Sequence, residues 1–257
     1  MKIVLLGAGN VATHIGKALY QKGYKIVQVF SKTEKSAKEL SEQLNTKYCF
    51  NTLDVLHDAD VYIYLLKDSA LGKIIAKLNT VPDAIHIHTS GSVSINIFEN
   101  RVLNYGVLYP LQTFSKEKKI NIEEVPFFIE ASNEYTQAMI THIACSLSER
   151  YTYLNSEQRM MMHLAAVFAC NFSNFMYLLA SDIVSEAGIK FEWLLPLISE
   201  TADKVNQISP EKGQTGPAVR GDKEIINKHI ELLHKKKDVQ GIYALISESI
   251  YQRLKIR

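Results

Sequence analysis

Apolar residues fall into short unbroken runs in the first part of the chain and into long helical stripes in the last. Met1–Leu6, Lys25–Phe30, Ala59–Leu66, Ala84–His88, Val102–Tyr109 and Pro126–Ala131 are runs of the first kind. They predict strands, most of them buried on both faces as in a parallel sheet. Shorter runs at Tyr48–Phe50 and Tyr151–Leu154 predict two more. Between them the spacing turns helical: Thr13–Gln21, Glu34–Leu44, Leu71–Lys77 and Glu134–Glu149, with single turns at Thr52–Leu56 and Val93–Phe98. Strands alternating with helices predict a doubly wound α/β sheet with helices on both faces. The pattern changes at Asn155-Ser156. A helix from Glu157 can run to about Glu186, where Gly188 ends it, and it is apolar nearly all round. Such a helix belongs in a core or at a subunit interface. Phe191–Val205, Lys223–Lys236 and Asp238–Leu254 predict three more helices, with Ser209–Gly221 as a loop. The expected domains are therefore 1–155, a doubly wound sheet, and 156–257, all helical.

Composition narrows the partners. Hydrophobic residues make up 47% of the 257, enough for a full core. The formal charge of +2 gives no field to attract nucleic acid or a membrane surface, so neither is expected as a partner. Polar residues interrupt the apolar helices before a bilayer span is reached, and the first strand begins at residue 2, without a signal peptide before it. Cys49, Cys145 and Cys170 form no C-x-x-C pair. They are expected to be small buried side chains in a reducing cytoplasm. No metal-ligand spacing appears among the eight histidines.

The first candidate chemistry is at the N-terminus. Gly7-Ala8-Gly9-Asn10-Val11-Ala12 follows a strand and opens a helix, the context in which G-x-G-x-x-A marks a dinucleotide site. Gly7 permits the turn, Gly9 lets a pyrophosphate approach the backbone, and Ala12 lets helix and strand lie close. The helix N-terminus offers N–H groups to the phosphates. At the end of the second strand, an acid would select NAD by binding the ribose 2′-hydroxyl. Here the tip reads Ser31-Lys32-Thr33, so NADP(H) is expected ahead of NAD(H). Ser31 or Thr33 can equally cap the next helix. Leu66 and Lys67, ending another strand, reach the same cofactor edge.

Three further groups carry possible chemistry. Thr89-Ser90-Gly91-Ser92 also follows a strand, so Ser90 and Gly91 could meet a substrate or merely cap the next turn. Gln112 lies beyond the strand ending at Tyr109. On the long helix, an ideal turn of 100° per residue puts His163 and Asn174 roughly 20° apart, with Asn171 about 80° from His163. That stripe is either a structural network or a site where His163 donates a proton and Asn171 orients the substrate. In Gln214–Asp222, Thr215 and Arg220 could hold an anionic group, or Arg220 could simply pair with Asp222.

These motifs resemble the Rossmann-like proteins with a C-terminal DUF2520 domain, described as NADP oxidoreductases. The matching runs are Gly7–Ala12, His88–Ser92, Gly106–Gln112, His163–Ala166 with Asn171, and Thr215–Asp222. The layout is more distantly similar to pyrroline-5-carboxylate reductase, ketopantoate reductase and the β-hydroxyacid dehydrogenases, whose helical substrate domain follows the NADP domain. Ketopantoate reductase-like enzymes carry Lys, Asn and Asn on the long helix where this chain has His163, Val167 and Asn171, which sets the ketopantoate reaction apart. The resemblance implies a helical domain like the C-terminal one of 6-phosphogluconate dehydrogenase, and a homodimer formed through it. The expected function is hydride transfer between NADP(H) and a small, anionic carbonyl or imine compound, or the matching hydroxy or amino compound. The alternative is a non-catalytic dimer that senses NADP(H) or scaffolds.

Overall fold

The computed structural model describes residues 1–78, 81 and 83–255. Contacts divide it into two compact units, Met1–Ala169 and Cys170–Arg257, of which Ile256 and Arg257 lie outside the described residues.

The first unit runs β1 (Lys2–Leu6), α1 (Asn10–Gln21), β2 (Lys25–Phe30), α2 (Glu34–Gln43), β3 (Lys47–Cys49), β4 (Val61–Tyr64), α3 (Asp68–Ile75), β5 (Ile85–His88), β6 (Asn104–Pro110), β7 (Phe127–Ala131), α4 (Glu134–Leu147) and β8 (Tyr151–Tyr153). α5 (Ser156–Ala166) completes it. The sheet has eight strands in the order β3-β2-β1-β4-β5-β6-β7-β8. Strands β1 to β6 are all parallel, so their C-terminal ends share one edge. The order reverses between β1 and β4, where a doubly wound sheet opens its ligand crevice. β7 runs antiparallel to β6, and β8 parallel to β7.

β1 shows why the sheet needs cover on both sides. Ile3 and Leu5 join Ile15 and Leu19 of α1 and Ile140 of α4 in one core, while Val4 and Leu6 join Leu71 and Ile75 of α3 in another. Alternate side chains point to opposite faces, so a strand central in a two-faced sheet is apolar throughout. α1 lies so close that a Cβ on Gly16 would sit 2.8 Å from Leu5 Cδ1.

The single turns expected at Thr52–Leu56 and Val93–Phe98 are short 3-10 turns, Thr52–Asp54 and Ile95–Phe98. Cys49 is buried as expected, but Cys145 and Cys170 are exposed.

The long apolar helix is not one regular α-helix. α5 passes into a π-helical turn, Val167–Phe172, and then into α6 (Ser173–Glu186). Its i→i+5 bonding changes the phase of the side chains, so the angles drawn above from an ideal helix do not carry across it. The change in composition at 155/156 precedes the contact division, because α5 packs on the sheet. By length and composition alone, Ser156–Glu186 could cross a membrane. The polar interruptions are thus too weak to exclude a span. α5 instead carries the fully buried, ion-paired Arg159.

The second unit continues from α6 with a 3-10 turn at Phe191–Leu194, α7 (Leu195–Lys204), α8 (Pro210–Gly213), α9 (Pro217–Arg220), α10 (Lys223–Leu232) and α11 (Lys237–Lys255). The expected loop at Ser209–Gly221 therefore holds two helical turns, each opened by a proline at its first position. Gly221, at φ +66°, ends α9, and Asp222 caps α10 by accepting from Ile225 N at 3.4 Å.

Candidate active site

The turn after β1 has its two glycines for different reasons. Gly7 has φ +133°, and a Cβ there would lie 2.1 Å from the Leu65 carbonyl oxygen beyond β4. No other residue fits. Gly9, the N-cap of α1, has ordinary dihedrals and nothing within 4 Å of where its Cβ would be. Its lack of a side chain serves open space in front of a helix N-terminus, which suits an approaching anion. Ala8 is buried and Val11 packs on the core, so these two offer backbone rather than side chains. The Asn10 side chain donates to Phe114 O at 2.8 Å and holds the segment after β6 against α1. His14 bonds Ser115 O in the same way, at 2.8 Å.

After β2, Thr33 occupies the N-cap of α2 but its hydroxyl donates to Ser36 Oγ, at 2.9 Å, and caps nothing. Lys32 is exposed beside it. Glu34, the first acid, accepts from Tyr48 OH at 3.3 Å. After β4, Leu66 is half-buried against the second core, while Lys67 is the exposed N-cap of α3. All these segments lie on the edge that the parallel strands share.

The same edge brings together three residues from β5, β6 and α5. Tyr109 OH and His163 Nδ1 are 3.1 Å apart, with the rings edge to face. Gly91 lies against both: a Cβ there would be 2.7 Å from Tyr109 Cζ and 2.9 Å from His163 Nδ1. Burial raises the Tyr109 phenol above its ordinary value, and the negative charge of Asp68 raises it further. Asp68 itself accepts a short hydrogen bond from Ser92 Oγ. The Ser90 Oγ accepts from Ser92 N (3.1 Å) and Val93 N (3.0 Å). The Ser90 N–H donates to His88 Nδ1 at 3.2 Å.

Of the remaining sequence candidates, Gln112 follows β6 in the first unit, and Asn171, Asn174, Thr215 and Arg220 belong to the second. The Gln112 carbonyl turns onto Thr113 N at 2.8 Å. Asn171, inside the π turn, and Asn174, in α6, are exposed. Thr215 and Arg220 flank α9 and are exposed as well. Among the described residues Arg220 forms no salt bridge, with Asp222 or any other acid. No group of three or more potential metal ligands occurs among them either.

Sequence reasoning passed over Tyr109 as a side chain with chemistry, and missed Arg159 as part of this edge. A signal for Arg159 exists: a charge one helical turn before His163, where the apolar run of the helix begins.

A glycine turn at β1, opening a helix, and the reversal of strand order beside it define a dinucleotide-binding fold. Comparisons carry this further. Residues 2–90 match the family described as NADP oxidoreductase coenzyme F420-dependent, and residues 125–250 match the DUF2520 domain of unknown function. The chain is 45% identical to a candidate NADP oxidoreductase from Bacteroides fragilis, over 98% of each chain, with a TM-score of 0.91. It belongs to this family of DUF2520-containing NADP oxidoreductases. The fold is shared more distantly by an imine reductase from Myxococcus stipitatus in complex with NADP+, at 13% identity and a TM-score of 0.68 over 99% of this chain and 93% of that one. A 1-pyrroline-5-carboxylate reductase from Streptococcus pyogenes is 16% identical, with a TM-score of 0.64 over 98% of each chain. No curated protein matches the sequence.

Proposed function

We propose that the protein is an NADP(H)-dependent oxidoreductase acting on a small, anionic carbonyl or imine compound, or its hydroxy or amino counterpart. The observation that carries this reading is the Tyr109–His163 pair seated over Gly91 on the edge that also holds the Gly7–Gly9 turn. NADPH, when bound, supplies the hydride. The Gly9 opening and the N–H groups of α1 suit its pyrophosphate, and Ser31, Lys32 and Thr33 suit a 2′-phosphate. The Bacteroides fragilis relative, described as an NADP oxidoreductase, supports the same cofactor.

His163 and Tyr109 serve as the proton source. With Tyr109 Oη donating to Nδ1, the imidazole carries its proton on Nε2, where it can be given to a carbonyl oxygen or imine nitrogen. Gly91 leaves the space that lets the pair form. Asn171 and Asn174 are proposed to orient the substrate, and Thr215 with the unpaired Arg220 to hold its anionic group, for which a guanidinium is well shaped. Ser90 and Gln112 contribute through the backbone turns that they shape.

The protein is further proposed to be a cytoplasmic homodimer joined through its helical domain, 156–257, without nucleic acid or a membrane as partner. Its free cysteines suit a reducing compartment. α6 exposes Phe175 and Leu178, and an open apolar groove of about 350 Å³ lies among Met176, Ile183, Tyr243 and Ile246. A second copy of the chain would cover these.

Fluorescence titration with NADPH and NADH is the test. NADPH is expected to bind more tightly, and Lys32→Glu to reverse the order. Absence of binding by either nucleotide at millimolar concentration sinks the oxidoreductase reading. Tight binding with no turnover on any imine or carbonyl, and no effect of His163→Ala, would favour a sensor.

A further inference from the structure

Arg159 is 1% exposed, the largest side chain so fully buried in the chain. A buried guanidinium is costly unless it is matched, and here both terminal nitrogens are, while Nε has no partner among the described residues. Its NH1 forms a short ion pair with Glu130 on β7, and its NH2 donates to Val93 O at 2.6 Å and to Ser156 Oγ at 3.3 Å. Glu130 also accepts from the Ser156 backbone N–H at 3.0 Å, at the start of α5. One side chain therefore ties together three parts of the first unit: β7, the loop after β5, and α5. The two groups so joined are those that meet at the proposed proton source. Val93 lies two residues beyond Gly91, and His163 lies one helical turn beyond Arg159 on α5.

The loop has its own internal bracing. His88 accepts from Ser90 N, and Ser90 Oγ accepts from Ser92 N and Val93 N. His88 is buried, and burial followed by the nearby Arg159 charge pushes its pKa down to about 3. It stays neutral and keeps Nδ1 as an acceptor at any ordinary pH. The loop is thus braced internally, and two hydrogen bonds attach it to α5: Arg159 donates to Val93 O at 2.6 Å, and Ile95 N donates to Ser156 Oγ at 3.1 Å.

We infer that Arg159 is a positioning residue: it sets the distance between the Gly91 turn and α5, and through it the Tyr109–His163 contact. The chemical requirement is a planar fork that reaches a carboxylate with one arm and a carbonyl with the other. Lysine carries the same charge but has a single point donor. The catalytic consequence rests on the acid role proposed above for His163; the placement of the pair does not.

Arg159→Lys in the full-length protein is the test, with two readouts. NMR cross-peaks between the Tyr109 ring and the His163 imidazole, 6.0 Å apart by centroids, are expected in the wild type and lost or sharply weakened in the variant. NADPH-dependent reduction of 1-pyrroline is expected to lose roughly tenfold to a hundredfold in kcat, the scale of an ångström-sized misplacement. The KM for NADPH should stay within about twofold, because the Gly7–Gly9 turn is untouched. If Arg159→Lys does not fold, Arg159→Met with Glu130→Met carries the same test, since it leaves no unmatched charge buried. Undiminished cross-peaks overturn the inference whatever happens to the rate, as does a kcat loss that only follows the unfolded fraction. Lost cross-peaks in a protein whose wild type reduces no imine or carbonyl uphold the inference and sink the oxidoreductase reading alone.

Discussion

Three glycines that look alike in the sequence do different work. At Gly7 a methyl group would collide with the Leu65 carbonyl and the backbone has positive φ. Gly7→Ala is expected to destabilise the fold by at least about 2 kcal/mol, from overpacking and strain together, visible as a lowered urea midpoint. At Gly9 there is open space, and Gly9→Ala should cost the fold about 1 kcal/mol or less, the scale of an N-cap change. NADPH affinity should nevertheless fall at least tenfold in that variant, measured by titration. Gly91→Ala should spare both stability and cofactor binding more than Gly7→Ala does, because side chains rather than backbone must yield. Turnover should drop with it as Tyr109 and His163 are pushed apart. The G-x-G-x-x-A spacing made the first two glycines legible. Gly91 was legible as a residue that could meet a substrate or shape a turn, but not in its packing, since the atoms that crowd it come from β6 and α5, far along the chain.

At the scale of elements, β5 has an unusual content for a central strand: His86 and His88 are both buried, and their Nε2 atoms make no hydrogen bond of good geometry. Burial pushes His86 to about 4 and His88 to about 3. In the unfolded chain both would titrate near the usual histidine value of about 6.5. Between those values the unfolded state holds more protons than the folded one, so stability rises with pH through this window and levels off above it. Each histidine should cost about 1.4 kcal/mol per pH unit below about pH 6.5. Urea unfolding at pH 7, 6 and 5 measures this. His86→Phe should roughly halve the slope, and an unchanged slope would show that β5 is not its source.

Elements were the most legible level of the sequence, for physical reasons that differ along the chain. Strands β1 to β6 announce themselves because a strand covered on both faces must be apolar at nearly every position. The π turn was hidden, because an extra residue per turn leaves no mark in composition. α8 and α9 were read as loop because they are a single turn each and rich in glycine and proline. The Tyr109–His163 pair was half legible: His163 stands out on an apolar helix, whereas Tyr109 lies near the end of a strand already rich in apolar and aromatic residues. Arg159 on α5 was invisible as a buried residue, because Glu130, which makes its burial tolerable, is distant in sequence, on β7.

Across the whole chain, the two units are finished to different degrees. The sheet unit holds nearly all of the fully buried apolar side chains, although Leu53 and Leu103 are exposed on its surface. The helical unit leaves Leu178, Leu197 and Leu245 more than half exposed and Trp193 79% exposed. In the proposed homodimer those surfaces are the interface. Leu178→Glu is expected to convert the dimer to a monomer in sedimentation velocity while leaving NADPH binding in place, because the Gly7–Gly9 turn belongs to the first unit. A dimer that persists in this variant would move the interface elsewhere.

The exposed face of α6 also bears on how the protein can be handled. If a second copy completes the helical core, then folding is a bimolecular event, and stability obeys mass action. The melting temperature should climb with protein concentration. Dilution alone, with no denaturant, should loosen the helices before the sheet. A cell making little of this chain would hold it in a less durable state than one making much.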